Sequence, residues 1–250
     1  MNYKKLNYAV LALAFLVATL SGVAIGIYAT QSQTTNALEK LGDHTLTSNA
    51  PVLAVSSQTG EGILSSVSIE IQKGRGRVLI NTNPFVEPDT QYSADTAVRI
   101  AQEITKKELT DRDVIFTFDP ISNLVGGPSA GAALTLGTIA AIQGKQLRQD
   151  TAITGTINED GTIGSVGGIF EKTKAAADAG KKFFIVPTGQ EKLNYLERQI
   201  EQTNNGPFVF ERTTYIPRTL DLTKYASDEW GIELKTAATI EEAMSLMLEN

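Results

Sequence analysis

An uncharged run of 22 residues, AVLALAFLVATLSGVAIGIYAT from Ala9 to Thr30, limits what this chain can become more than any other stretch. At 1.5 Å per helical residue it reaches roughly 30 Å, the thickness of one hydrocarbon core. No charge interrupts its circumference, which disfavours a core helix with one wet face. The run predicts a membrane anchor over residues 1–30. The rival reading is a cleaved signal peptide, with Lys4 and Lys5 as the basic start, Leu6 to Leu20 as the apolar segment and Gly22-Val23-Ala24 as the cleavage site. Apolar character continues past that site to Tyr28, which favours the retained anchor. Lys4 and Lys5 precede the run, and the thirty residues after it hold only Glu39, Lys40 and Asp43 as charges. The positive-inside rule then places the N-terminus in the cytoplasm and the remaining body outside, as a single-pass cell-membrane protein.

Residues 31–50 are polar and rich in Ser, Thr and Asn, and read as a stalk. The rest, 51–250, reads as one domain of α/β (α+β) class. ILSSVSIEIQ alternates Val67, Ile69 and Ile71 as a half-buried strand, and RVLINT reads as the strand that returns beside it in a β-meander. DTAVRIAQEITKKEL sets Ala97, Ile100, Ala101 and Ile104 on one helical stripe, and DVIFTF alternates Val114, Phe116 and Phe118. SAGAALTLGTIAAIQG predicts a small-residue helix ending at Gly144, AITGTINEDGTIGSVGG a hairpin turning at Glu159-Asp160-Gly161, and GIFEKTKAAADAG a helix stopped by Gly180. FFIVP reads as a buried strand and EKLNYLERQIEQ as an amphipathic helix through Leu193, Leu196 and Ile200. The end reads as a strand and a last helix opened by a capping box of Thr239 and Glu242. The net charge is -6 with both signs interspersed, so no footprint for nucleic acid is present. Cysteine is absent, which removes disulfides and thiolate chemistry.

The only histidine is His44, in the polar stalk. A Ser-His-Asp triad and histidine-bound metal are therefore not expected, and the carboxylates fall mostly on helix surfaces and turns. What stands out is VGGPSAGAA, residues 125–133, where one hydroxyl, that of Ser129, sits among glycines at a helix start. It has three readings: a cap, a phosphate cradle or a nucleophile. The phosphate-loop version lacks its lysine, since GGPSAGAAL contains none. A nucleophile without histidine needs another base, and a lysine serves when burial lowers its pKa from about 10.4 toward 7–8. Lys172 lies on a stripe with Ile169, Ala175, Ala176 and Ala179, whereas Lys174 shares its side with Phe170, Asp178 and Lys181. Two readings of Lys172 stand here: a side chain snorkelling at the helix start, or a buried base.

Residues 126–187, from GGPSAGAAL through GGIFEKTKAAADAG to FFIVP, resemble the proteolytic domain of the Lon protease family, peptidases with a Ser-Lys dyad. The resemblance implies Ser129 as nucleophile and Lys172 as base, 43 positions apart, with Thr154 orienting the lysine. It also implies that Gly127, Ala130 and Gly131 form the oxyanion and substrate loop, and that the domain has a fold similar to the ribosomal protein S5 domain 2-like class. The implied activity is hydrolysis of peptide bonds in unfolded or loosely folded polypeptides, with no cofactor and with assembly into a homo-oligomer such as a hexameric ring. No ATPase domain is expected in this chain. Many relatives carry an acid immediately before G-P-S-A-G, where this chain has Gly126. Two alternatives stand beside this reading: a catalytically silent peptide-binding scaffold on the same fold, and a kinase of the GHMP type, whose glycine-serine-alanine loop bears a passing likeness to GGPSAGAA.

Overall fold

In a computed structural model, the described residues are 44–249 apart from 82, 120–123 and 206–207. The expected anchor and most of the expected stalk lie outside them. Among the described residues no helix is long and apolar enough to cross a membrane. The chain enters its first sheet at Leu46, so residues 46–50, read as the end of the stalk, already form strand.

That sheet has four strands in the order β1 (Leu46–Val55), β2 (Gly62–Lys73), β5 (Arg112–Phe118) and β3 (Val78–Ile80). The expected meander is corrected here, because β5 takes the place beside β2 and β3 lies beyond it, parallel to β5. Cross-strand packing explains the exchange. Val67 faces Phe118, Ile69 faces Phe116 and Ile71 faces Val114, six residues buried in register. Val78–Ile80 is only half-buried and offers a weaker row.

After the short β4 (Phe85–Val86), helix α1 (Pro88–Thr105) starts seven positions before the expected Asp95. Pro88 suits a first helical turn, and Ala97, Ile100 and Ala101 are buried as their spacing predicts. Strand β6 (Leu124–Val125) pairs with β4 and leads through a 3-10 turn, Pro128–Ala130, into helix α2 (Gly131–Gln143). Every residue of α2 from Gly131 to Ala141 is buried, as a helix apolar on all sides requires. Gly137 lets it approach the sheet, since a β-carbon there would lie 2.6 Å from Ile69 Cδ1.

A second sheet is parallel, with the order β13 (Glu233–Ala237), β10 (Phe183–Pro187), β7 (Thr151–Ile153). Helix α3 (Ile169–Asp178) covers it, and the hairpin of β8 (Thr156–Ile157) and β9 (Ile163–Gly164) precedes α3. The last helix, α5 (Ile240–Met247), is capped by Thr239 Oγ1, which accepts from the Glu242 amide at 3.3 Å.

EKLNYLERQIEQ is corrected from helix to strand. It lies in β11 (Lys192–Asn205), which pairs along its whole length with β12 (Phe208–Asp221) in an antiparallel ribbon. Short helix α4 (Leu222–Tyr225) follows. The partner strand decides the outcome, because FVFERTTYIP is aromatic and β-branched, and cross-strand pairs such as Arg218 Nε donating to Glu197 at 2.8 Å fix the register. The spacing that suggested a helix is not backed by burial, for Leu196 remains 64% exposed.

Apolar side chains gather in two clusters. One joins β1, β2 and β5 to α1, α2 and α5; the other joins the parallel sheet to α3, α4 and Leu53 of β1. Beside the first cluster, the loop Lys73–Arg77 is held by Asp113, which is 2% exposed. Its Oδ1 accepts from the Arg75 and Arg77 amides at 2.8 and 3.0 Å, and its Oδ2 accepts from the Arg77 guanidinium. The Arg77 side chain first, then these amides, hold the carboxyl far below the usual carboxylate range. A carboxyl depressed on folding contributes stability that is complete above its unfolded value, about 3.9, and disappears as pH falls toward its folded value. Asp113→Asn is therefore expected to lower the Tm at pH 7 and to lose less stability than the wild type on acidification below about pH 4, as read by thermal melts across pH.

Candidate active site

The residues Gly126 to Gly131 turn the chain from β6 into α2. Gly127 has φ of 88°, a conformation that favours glycine, and places the following Pro128 and Ser129 in the 3-10 turn. The start of α1 braces this loop. Thr90 Oγ1 donates to the Gly127 carbonyl at 2.9 Å, and the Gly127 amide donates to Asp89 Oδ1 at 3.3 Å. From the other side, the Ser129 carbonyl accepts from the Gly155 amide at 3.0 Å and from Thr154 Oγ1 at 3.2 Å. Ser129 itself is half-buried.

Lys172 lies in the first turn of α3 and is 4% exposed. Its amide bonds the Gly168 carbonyl, and its Nζ donates to Thr154 Oγ1 at 3.4 Å. Thr154 therefore touches both, accepting from Lys172 and donating to the Ser129 backbone. It stands just past β7, where its own amide donates to the Ile185 carbonyl of β10. The Lys172 and Thr154 side chains thus meet beside the Ser129 backbone, with Ser129 at the head of α2 and Lys172 on α3. Of the expected stripe, Ile169, Ala175 and Ala176 are buried with Lys172, while Ala179 at the helix end is exposed. Lys174 lies outside, bonded to Asp178 at 2.6 Å. Phe170, expected on that outer side, is half-buried against Tyr225 and Trp230.

Burial lowers the Lys172 pKa to about 8, and the charge of neighbouring Glu171 opposes the shift. At that value roughly a tenth of the side chain is neutral at pH 7, against about one part in 2,500 for an ordinary lysine. The arrangement brings an amine of lowered pKa and the backbone of a serine to one threonine. Of the three amides expected to hold an oxyanion, those of Gly127 and Gly131 are engaged inside the fold, with Asp89 and with the Pro128 carbonyl.

Nothing in the local sequence pattern marks the walls of the site. Ser129 opens onto a cleft of about 700 Å³ formed by Val52–Gln58, Ile63, Ser65, Glu87, Phe118, Asp119 and Val125–Gly127. Strand β1 is the edge of its sheet and forms one wall. Gly62 brings β2 against α3, because a β-carbon there would collide with the Glu171 carbonyl. Gln190 pins the loop before α3 to the root of the ribbon: its Oε1 accepts from the Val166 amide at 2.9 Å and its Nε2 donates to the Val166 carbonyl at 2.7 Å.

Residues 91–206 match the model of the Lon protease (S16) C-terminal proteolytic domain, a span that includes Ser129, Thr154 and Lys172. The chain is 28% identical to the archaeal Lon protease of Archaeoglobus fulgidus over 125 residues, 50% of this chain and 20% of that protein. It is 31% identical to the archaeal Lon protease of Methanocaldococcus jannaschii over 144 residues, 54% of this chain and 22% of that protein. Over 61 residues, 24% of this chain, it is 46% identical to the Lon protease of Phenylobacterium zucineum and covers 8% of it. The chain thus spans about a fifth of the length of the two archaeal relatives.

Keeping a lysine buried here costs stability. Its pKa is lower folded than unfolded, so the penalty is complete below about pH 8 and is relieved as pH rises toward 10.5. Lys172→Met is expected to raise the Tm at pH 7, by stability on the order of 2–3 kcal/mol, and to remove the rise in wild-type stability between pH 8 and 10. Thermal melts of both proteins at pH 7 and pH 10 check this.

Proposed function

We propose that this chain, which carries a Lon-type (S16) serine protease domain, is an endopeptidase in which Ser129 is the nucleophile and Lys172 its base. The observation that carries this reading is Thr154 joining a buried lysine of lowered pKa to the backbone of Ser129. Neutral Lys172 takes the Ser129 proton as Oγ attacks a peptide carbonyl carbon, giving a tetrahedral oxyanion. The positive end of α2 lies beside that oxygen and favours its charge. The Lys172 ammonium then gives its proton to the departing amine, leaving an ester on Ser129. Water, deprotonated by the same lysine, hydrolyses the ester and restores both side chains.

The loop geometry also bears on what enters. An extended polypeptide fits beside β1 at Val52–Val55, which among the described residues is an edge strand paired with β2 alone. Folded proteins do not present such a strand, so the substrates are unfolded or loosely folded chains. The reaction uses no nucleotide: GGPSAGAAL has no phosphate-loop lysine, and the proton transfers above need only the dyad and water. Anchoring through residues 9–30, with the catalytic body outside the cytoplasm, follows from the uncharged run and from Lys4 and Lys5. Assembly into a homo-oligomer rests on likeness to Lon proteases.

The full chain in detergent is expected to cleave an unfolded protein such as reduced casein without ATP. Ser129→Ala and Lys172→Ala are each expected to lower the rate by at least about 10³-fold, the scale of losing a nucleophile or its base. Equal cleavage by either variant would remove the dyad from the reaction.

A further inference from the structure

The cleft beside Ser129 is one-sided in charge. Among its described lining residues, Val52, Ile63, Phe118 and Val125 give apolar walls, and the only ionisable side chains are Glu87 and Asp119. Neither forms an ion pair among the described residues. The two come from different segments, and the backbone of each is hydrogen-bonded to a neighbouring strand or loop. The Glu87 amide donates to the Val125 carbonyl at 3.0 Å, between β4 and the loop that carries Ser129. Its carboxylate lies against Gly126, in the space that any side chain at that position would occupy. Asp119 directly follows β5; its amide donates to the Ser66 carbonyl at 3.0 Å, and its carboxylate accepts from the Ser66 hydroxyl.

Resting on the peptidase reading, we infer that this cleft selects polypeptide stretches with a lysine or arginine beside the bond to be cut, and that Glu87 is the residue that recognises the cation. A half-buried carboxylate held on a braced backbone pays little to organise when a cation arrives. The apolar stem of lysine or arginine lies along Val52, Ile63 and Val125 while its charged end reaches Glu87. Asp119, which lines the same cleft, adds to the same field. An acidic side chain meets two like charges and no cation on these walls, so it is rejected as strongly as a basic one is held. Gly126 belongs to the same device, since its lack of a side chain leaves the carboxylate its place.

The test uses the full chain in detergent and three quenched fluorescent peptides identical except for Lys, Leu or Glu at one position next to the cleaved bond. The ratio of kcat/KM for the lysine peptide over the glutamate peptide is expected to be about a hundredfold. It should fall by about tenfold in the isosteric Glu87→Gln, which keeps the packing against Gly126, and reverse in Glu87→Lys. A wild-type ratio near one, or a ratio unchanged in both variants, overturns the inference while leaving the peptidase reading intact. If no peptide is cut above the Ser129→Ala background, the peptidase reading fails and the selectivity is read by binding instead. Fluorescence anisotropy with labelled peptides on the Ser129→Ala protein is then expected to give about tenfold tighter binding of the lysine peptide than of the glutamate peptide, and equal binding overturns the inference.

Discussion

A lysine buried in an apolar seam is the constraint on which the rest of this structure turns. Lys172 is almost wholly removed from water, and among the described residues the side-chain partner of its ammonium is the Thr154 hydroxyl at 3.4 Å. A neutral hydroxyl satisfies a donor without restoring the charged form, so burial dominates and the pKa falls. Had a carboxylate stood in place of Thr154, the ammonium would be held and the base lost. The nearest acid, Glu171, precedes it on the helix and only moderates the shift.

The seam exists because two apolar clusters meet along β1. Ala50 and Val52 belong to the cluster under α2, and Leu53 belongs to the one under α3. One cluster lies under the helix that follows Ser129 and the other under the helix that carries Lys172, and close backbone approaches set how the elements pack. Gly137 lowers α2 onto Ile69, and Gly62 lowers β2 onto the α3 backbone at Glu171. Thr154 and Gly155 then tie the Ser129 turn to the end of the parallel sheet through hydrogen bonds to a single carbonyl. Position is thus fixed by packing and backbone, and the reacting side chains contribute little to holding themselves in place.

Much of this was legible in the sequence where one physical effect dominates. The alternation of Val67, Ile69 and Ile71, the α2 helix rich in small residues and its stop at Gly144, and the hairpin at Glu159–Gly161 depend on local pattern and lie where that pattern places them. Lys172 was visible as a charge out of place on an apolar stripe, and Ser129 as a hydroxyl among glycines. The failures have the opposite character. Leu193, Leu196 and Ile200 carry helical spacing, yet β12 pairs with that segment, and partners as far off as Pro217 and Leu220 leave no trace in a local period. The insertion of β5 between β2 and β3 is likewise a competition between two rows of apolar side chains. Glu87, Asp119 and the β1 wall reach the Ser129 cleft through the topology, so nothing in their neighbourhood marked them.

On the proposed reading, burial makes Lys172 a base for Ser129 near neutral pH. The most direct test is the rate at which a small fluorophosphonate labels Ser129, followed by mass spectrometry of the modified peptide between pH 6 and 10. The rate is expected to rise through a single titration with a midpoint of about 8 and to vanish in Lys172→Ala. A midpoint near the ordinary lysine value, about 10.4, or labelling that persists without Lys172, would contradict the account.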